Sequence, residues 1–299
     1  MNVLSFDLED WYQLANRRIT GALIPARDTI LRQVDALLAI LSESDCKATF
    51  FVLGLVAERY PELVRDLAAD GHEIASHGYS HTVLGRLDRA EFERETRRSK
   101  DLLQQITGQE VVGYRAPEFS IGRDTGWALE VLAGLGFLYD SSIFPIRHPR
   151  YGIPGFDPHP RLYATPCGEI AELPLSKVDV VGTSIPVAGG GYFRILPLAV
   201  LDRSVQLLNA RGLPFITYFH PYEFDPEYLD VFQVVKPSSL AQYVGCKKLN
   251  TRYRIGHRAI GRKLAALLRK FHFSTCKEYL HAVELTKGRA LFRPISIAV

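Results

Sequence analysis

The sequence predicts an α/β fold in which helices cover a parallel sheet, and three observations predict it. Strand-like apolar runs alternate with amphipathic stretches over roughly the first half of the chain. One run, ATFFVLG at 48–54, is almost continuously apolar, as in a parallel strand buried on both faces. Several polar residues sit at the ends of separate runs, where strand barrels project their catalytic groups. The chain has 299 residues, within the range of a single α/β barrel, and its 47% apolar composition suffices for a large core without covalent staples.

Taken in order, Val3–Phe6 is a short strand ending in acids. Asp28 is placed to cap a helix whose apolar face includes Ile30, Val34, Leu37, Leu38 and Leu41. The 48–54 strand follows. Pro61 suits the first turn of a helix through Leu63, Val64 and Leu67 that stops at Gly71. His72–Ser76 reads as the next strand. Asp88 with Glu91 forms a capping box opening a charged helix that ends near Gly108. Val111–Tyr114 is strand-like, Trp127–Leu135 helical, and Phe137–Tyr139 a strand.

The rhythm changes at about residue 145. Residues 145–168 are dense in Pro and Gly and read as a long loop, a kind that is usually functional or disordered. ELPLS (172–176) and VDVVGTSIPV (178–187) are strand-like, Leu196–Ala210 helical, and Phe215–Phe219 the last core strand. Residues 247–270 carry nine Lys or Arg and no acid. Thr275 with Glu278 predicts a capped final helix. The expected division is a barrel over 1–245 and a basic extension over 246–299 packed on it.

Cys46, Cys167, Cys246 and Cys276 show no zinc-type spacing and are expected to be reduced. No charged leader with an apolar segment precedes the first strand, and no run approaches the length needed to span a bilayer, so a cytoplasmic location is expected. The basic tail also interleaves Tyr253, Ile255, Ile260, Leu264, Leu267 and Leu268, an amphipathic pattern able to rest on anionic lipid at the inner face of a membrane. Its plainer reading is a solvated face. No recognition motif accompanies the charge, so nucleic acid is not an expected partner.

HGYSH puts His77 and His81 four residues apart, a spacing that on a helical turn lets two imidazoles share one divalent ion. A carboxylate is then wanted as third ligand. DLED supplies Asp7 as a base, with Glu9 or Asp10 to complete the metal shell. Arg115 beside a carboxylate would fix its orientation. His220, after an apolar strand, is placed to protonate a leaving group, and Asp140 to orient or tune one of these groups. Each alone has a plainer reading: surface histidines, a strand-end acid cluster, a salt-bridged arginine, a core histidine. Together they are the inventory for metal-assisted hydrolysis of an amide or ester.

These motifs resemble the polysaccharide deacetylase superfamily, carbohydrate esterase family four. SFDLED is similar to its first motif, HGYSH to its second, RAPEF to its third, and the strand before His220 to its last. The resemblance covers roughly residues 1–225. DLEDWY, GGGYFR at 189–194 and HPYEFD look closest to a bacterial subgroup linked to exopolysaccharide and surface-glycan loci.

The resemblance implies a distorted (β/α) barrel of about seven parallel strands, of the deacetylase type, and de-N-acetylation of an N-acetylated amino sugar or glycan carried on a nucleotide or lipid. It implies Asp7 as base, His77 and His81 as ligands of one divalent ion, zinc by preference, Arg115 as orienter and His220 as acid. The sequence departs from the family at two places. Leu8 stands where a second acid is usual, so the metal carboxylate is expected at Asp10, with Glu9 as the alternative. Ile143 and Phe144 replace a common Asp-Trp pair, leaving Asp140 or Glu172 to tune His220. Trp11, Tyr12, Phe119, Tyr192 and Phe193 are candidates for stacking on sugar faces. A cyclic-amide hydrolase on the same barrel and a non-catalytic glycan-binding relative are the alternative readings; a small substrate should close the pocket, and a sugar should leave an aromatic-lined groove.

Overall fold

The computed structural model describes residues 1–180, 182–287 and 295–296. Strands β1 (Asn2–Val3) and β2 (Ser5–Leu8) lead into helices α1 (Trp11–Thr20) and α2 (Thr29–Ser42). Then come β3 (Thr49–Val52), α3 (Gly54–Arg59), α4 (Pro61–Ala69), β4 (Glu73–Ser76), α5 (Arg89–Thr107), β5 (Gly113–Tyr114), α6 (Trp127–Gly134) and β6 (Tyr139–Asp140). The second part holds β7 (Arg161–Thr165), β8 (Gly168–Glu172), β9 (Lys177–Val180), β10 (Thr183–Pro186), α7 (Gly190–Ile195) and α8 (Leu198–Ala210). It continues through α9 (Leu240–Arg254), α10 (Ile260–Leu268), β11 (Phe273–Ser274), α11 (Cys276–Lys287) and β12 (Ile295–Ser296).

Strands β2, β3, β4, β5 and β6 lie side by side in parallel, and β8 joins β6 in parallel. Residues 215–219 close the ring as a seventh stave through single bridges rather than a long ladder. Val3 pairs with Ile216 and Phe6 with Phe219 on one side, and Gly189 pairs with Tyr218 on the other. This is the expected distorted (β/α) barrel.

Strand alternation sorts the side chains. Phe6, Leu8, Phe50 and Val52 join the cluster beneath the helices. Val3, Phe51, Ala75, Val112 and Tyr139 join the cluster inside the barrel. Ser5 and Asp7 therefore face the interior between Phe6 and Leu8. The capping boxes at Asp88–Glu91 and Thr275–Glu278 both form. Asp28 sits at its cap position but makes no cap bond; its carboxylate accepts from the Tyr60 hydroxyl at 2.7 Å.

Four expectations need correction. Residues 145–168 are not all loop, because β7 and most of the turn into its antiparallel partner β8 lie there. The prolines that made the stretch read as irregular, Pro158, Pro160 and Pro166, border β7 or occupy the turn. HGYSH is not a helical turn: His77 directly follows β4, Gly78 has φ 74° and His81 φ 57°. The 245/246 boundary falls inside α9, and β11 of the tail pairs in parallel with β1 in a two-stranded sheet of their own. Finally, of the six apolar residues read as able to face lipid, Ile260, Leu264, Leu267 and Leu268 are buried in the cluster beneath the helices, while Tyr253 is half-buried and Ile255 exposed. Among the described residues no helix is long and apolar enough to cross a membrane.

Candidate active site

The carboxyl ends of β2, β4, β5 and the 215–219 stave meet at one mouth, as strand barrels require of a catalytic constellation. Glu9 stands at its centre. One carboxylate oxygen, Oε2, lies 2.8 Å from His81 Nε2 and 3.6 Å from His77 Nε2; the other, Oε1, lies 3.0 Å from His220 Nε2. Glu9, His77 and His81 offer ligand atoms all within 4.8 Å of one another. Although Glu9 Oε2 is buried, it accepts no hydrogen bond of acceptable geometry. An orphaned carboxylate oxygen facing two imidazole nitrogens fits a divalent ion, and two histidines with one carboxylate are a common open zinc shell. His77 Nδ1 sits 2.9 Å from the Arg115 carbonyl, which favours a proton on Nδ1 and leaves Nε2 free to ligate.

Asp10, the carboxylate favoured from sequence, is turned elsewhere. It caps α1, accepting from the backbone N–H of Gln13 at 2.6 Å and of Arg27 at 3.3 Å. Burial raises its pKa to about 6. Glu9, the alternative, joins the histidines.

Asp7 Oδ1 accepts from Arg115 Nη1 at 2.8 Å. The guanidinium is fully buried and otherwise consumed by Ser5 Oγ, the Ser141 carbonyl and Ser141 Oγ. It lies over the Phe51 ring with its carbon 4.0 Å from the centroid. The arginine thus has one orientation, and it fixes that of Asp7. Asp7 Oδ2 looks across 4.0 Å to His220 Nε2.

His220 is held from behind by a residue that the sequence reading missed. Glu223 Oε2 accepts from the His220 backbone N–H at 3.1 Å and stands 3.3 Å from Nδ1. Burial disfavours the charged ring, but Glu9 and then Glu223 outweigh it and hold the His220 pKa well above the ordinary value. Burial likewise raises the Glu9 pKa, and the His81 and His220 rings reverse it to well below the usual carboxylate range. Arg194 Nε approaches Glu223 Oε1 at 3.7 Å. A Cβ on Gly190 would overlap the Glu223 carboxylate, and one on Gly189 the Tyr218 ring. Gly190 and Gly189 of GGGYFR therefore make room for Glu223 and Tyr218. The spacing of His220 and Glu223 in HPYE was the available signal.

Asp140 and Glu172 do not contact His220. Asp140 accepts from Ser142 Oγ at 2.6 Å and from the Ser142 N–H at 3.0 Å, and Glu172 accepts from the Ile143 N–H at 2.9 Å. Burial raises both pKa values, and for Glu172 the neighbouring Asp140 raises it further. The pair lies beneath the loop that receives Arg115, since Ser142 Oγ accepts from the Ala116 N–H.

The mouth opens into a cavity of about 710 Å³. Trp11, Phe119 and Tyr192 line it, joined by Tyr151, Tyr218 and Tyr222. Tyr12 and Phe193 do not. The Tyr12 hydroxyl donates to Gln233 at 2.9 Å, and Phe193 is fully buried against Phe219. Among the described residues the non-glycine positions with positive φ are Asp45, His81, Glu118 and Phe119, and the last three line this cavity. Such backbone costs about 1–3 kcal/mol per residue and concentrates at functional sites.

Two known families match parts of the chain. Residues 28–138 match the polysaccharide deacetylase family. Over that stretch the chain is similar to polysaccharide deacetylase domains. Residues 141–281 match a domain of unknown function, DUF3473. His77, His81 and Arg115 of the first matched segment thus meet Arg194, His220 and Glu223 of the second, and Asp7 and Glu9 precede both.

A peptidoglycan-N-acetylglucosamine deacetylase of Bacillus cereus is 33% identical over 91 residues, 30% of this chain and 33% of that protein. A chitooligosaccharide deacetylase of Sinorhizobium fredii is 29% identical over 102 residues, 34% of this chain and 47% of that protein. The matches thus span a third to a half of these relatives. In structure, a putative polysaccharide deacetylase from Mycobacterium smegmatis superposes with a TM-score of 0.61 at 22% identity, covering 99% of this chain and 93% of that one. The PuuE allantoinase superposes with a TM-score of 0.60 at 17% identity, covering 96% and 90%. At these identities the superpositions establish the fold.

Proposed function

We propose that this protein removes the acetyl group from an N-acetylated amino sugar carried on a nucleotide or lipid during assembly of a surface polysaccharide. The observation that carries the reading is the convergence of Glu9, His77 and His81 beside Asp7–Arg115 and His220 in one cavity. The relatives named as deacetylases of peptidoglycan and chitooligosaccharides support the amide of an acetamido sugar as the bond broken. The open, aromatic-lined cavity supports a glycan over a small cyclic amide.

A divalent ion held by Glu9, His77 and His81, zinc by the chemistry of that shell, would supply a Lewis acid beside the acetyl carbonyl. Asp7 is the base. Arg115 occupies Oδ1, leaving Oδ2 to take the proton of a water as its oxygen attacks the carbonyl carbon. His220 stands on the other side of the same gap, and its Nε2 gives a proton to the departing amine nitrogen. Glu223 on Nδ1 keeps the ring in its proton-donating form. Acetate and the free amino sugar are the products.

The test is acetate release from a panel of nucleotide-linked and lipid-linked N-acetyl sugars, with chelator and with zinc restored. Release should cease with chelator and return with zinc, and His77→Ala and His81→Ala should abolish both metal uptake and release. Chelator-insensitive release that survives both substitutions would overturn the assignment.

A further inference from the structure

The cavity carries more positive charge than its acids neutralise. Four carboxylates line it, and each is already engaged: Asp7 by Arg115, Glu9 by the His81 and His220 ring nitrogens, Glu118 by Arg150 at 3.0 Å, and Glu223 by Arg194. Arg17, Arg18, Arg86 and Arg252 also line it. Arg17 is spent on the carbonyls of Ser80 and His81, 2.7 and 3.0 Å away, and so braces the histidine turn. Arg18, Arg86 and Arg252 have no carboxylate within 4.0 Å among the described residues, and all three are exposed.

They come from separate elements: Arg18 from α1, Arg86 from the segment after HGYSH, and Arg252 from α9. Around Arg252 the surface is cationic and aromatic. The His148 ring stacks on Tyr151 with centroids 3.8 Å apart, and burial followed by the charges of Arg150 and Arg252 lowers its pKa. Three unpaired guanidiniums from distant segments, opening on one cavity, are not needed to hold a neutral acetamido sugar. A guanidinium fork matches a phosphate or carboxylate, and a cleft lined by one sign of charge concentrates ligands of the other.

We infer that the glycan substrate is anionic, and that Arg252, Arg18 and Arg86 hold its phosphate or carboxylate at the rim while the acetamido group reaches Glu9, His77 and His81. The inference rests on the de-N-acetylase reading and adds the substrate's charge to it. The binding arm of the test stands without that reading.

The experiment compares three N-acetylglucosamine probes: a neutral oligomer, a phosphodiester-linked sugar and an oligomer carrying a uronate. Acetate release is measured at low and at high salt. The preferred anionic probe should show kcat/KM at least about tenfold above the neutral one at low salt, with the gap closing at high salt, as expected for electrostatic steering. The phosphodiester and uronate arms tell which anion is taken. Arg252→Gln and the Arg18→Gln/Arg86→Gln pair should each raise KM for the anionic probe about tenfold more than for the neutral one, the loss expected of a charge-assisted contact.

Equal kcat/KM for neutral and anionic probes, or equal losses for both in the arginine variants, would overturn the inference and leave the deacetylase reading standing. Should no probe release acetate, that reading fails instead. Equilibrium dialysis of the same probes then decides the inference alone: the anionic probe must bind the native protein more tightly than the neutral one and lose that preference in Arg252→Gln.

Discussion

Gly190→Ala is the most revealing single change, because it touches no group that meets substrate. The added methyl would occupy the space of the Glu223 carboxylate, so that side chain must swing away. Three contacts go with it: those to the His220 backbone N–H at 3.1 Å and to His220 Nδ1 at 3.3 Å, and the one to Arg194 at 3.7 Å. A hydrogen bond to a charged group is worth about 1.5–3 kcal/mol, which at 1.36 kcal/mol per decade predicts a turnover loss of roughly 10- to 150-fold. Overpacking adds a stability loss of about 1–3 kcal/mol, read from the urea midpoint. The Glu9, His77 and His81 atoms are not displaced by the methyl, so zinc uptake should hold. The assay is steady-state acetate release beside zinc titration of the same preparation. Glu223→Gln, which keeps the shape and removes the charge, should reproduce the loss in kcat with less loss of stability. Native kcat in Gly190→Ala would refute the argument that Glu223 governs His220.

The two acids of DLED next to the base should separate cleanly. Glu9→Gln should weaken zinc binding by more than about 100-fold, beyond the range seen for residues that merely support a ligand, while Asp10→Ala should keep zinc and lose about 1 kcal/mol of stability with its helix cap; zinc titration and urea melts check both. Asp7→Asn should retain zinc and lose most turnover, measured by acetate release with metal content determined in parallel. His72 contributes a pH dependence to stability. Burial lowers its pKa to about 4 from 6.5, so the neutral ring favours the fold fully above pH 6.5 and that contribution fades as pH falls toward 4. The span is worth about 1–2 kcal/mol after allowance for solvent screening. His72→Asn, which can still accept from the Ala48 N–H, should flatten the slope of urea midpoint against pH over that window.

What the sequence made legible followed from local rules. Strands buried on both faces announce themselves as apolar runs, and capping boxes at Asp88 and Thr275 announce helix starts, because both are set by residues adjacent in the chain. Asp7, His77, His81, Arg115 and His220 were readable because each ends such a run. The choice between Glu9 and Asp10 was not, since it depends on which carboxylate turns toward HGYSH and which folds back onto Gln13 and Arg27. Glu223 was hidden because its role needs Gly190, 33 residues earlier, to leave it room. Tyr12 and Phe193 looked like sugar platforms by composition, yet only tertiary packing decides whether an aromatic ring faces a cavity or the core. The β7–β8 hairpin was obscured by prolines that permit a strand between them.

The pairing of Asn2–Val3 with Phe273–Ser274 sets a timetable for biosynthesis. Asn2–Val3, just ahead of the strand that carries Asp7, is made about 270 residues before the β11 segment it pairs with. At 5–20 residues per second that is a delay of roughly 15–50 s. Throughout it, the backbone of Asn2 and Leu4 lacks the acceptors that His272 and Ser274 finally provide. A nascent chain stalled before residue 272 would hold every ligand of the proposed metal centre and still present an open sheet edge to other chains.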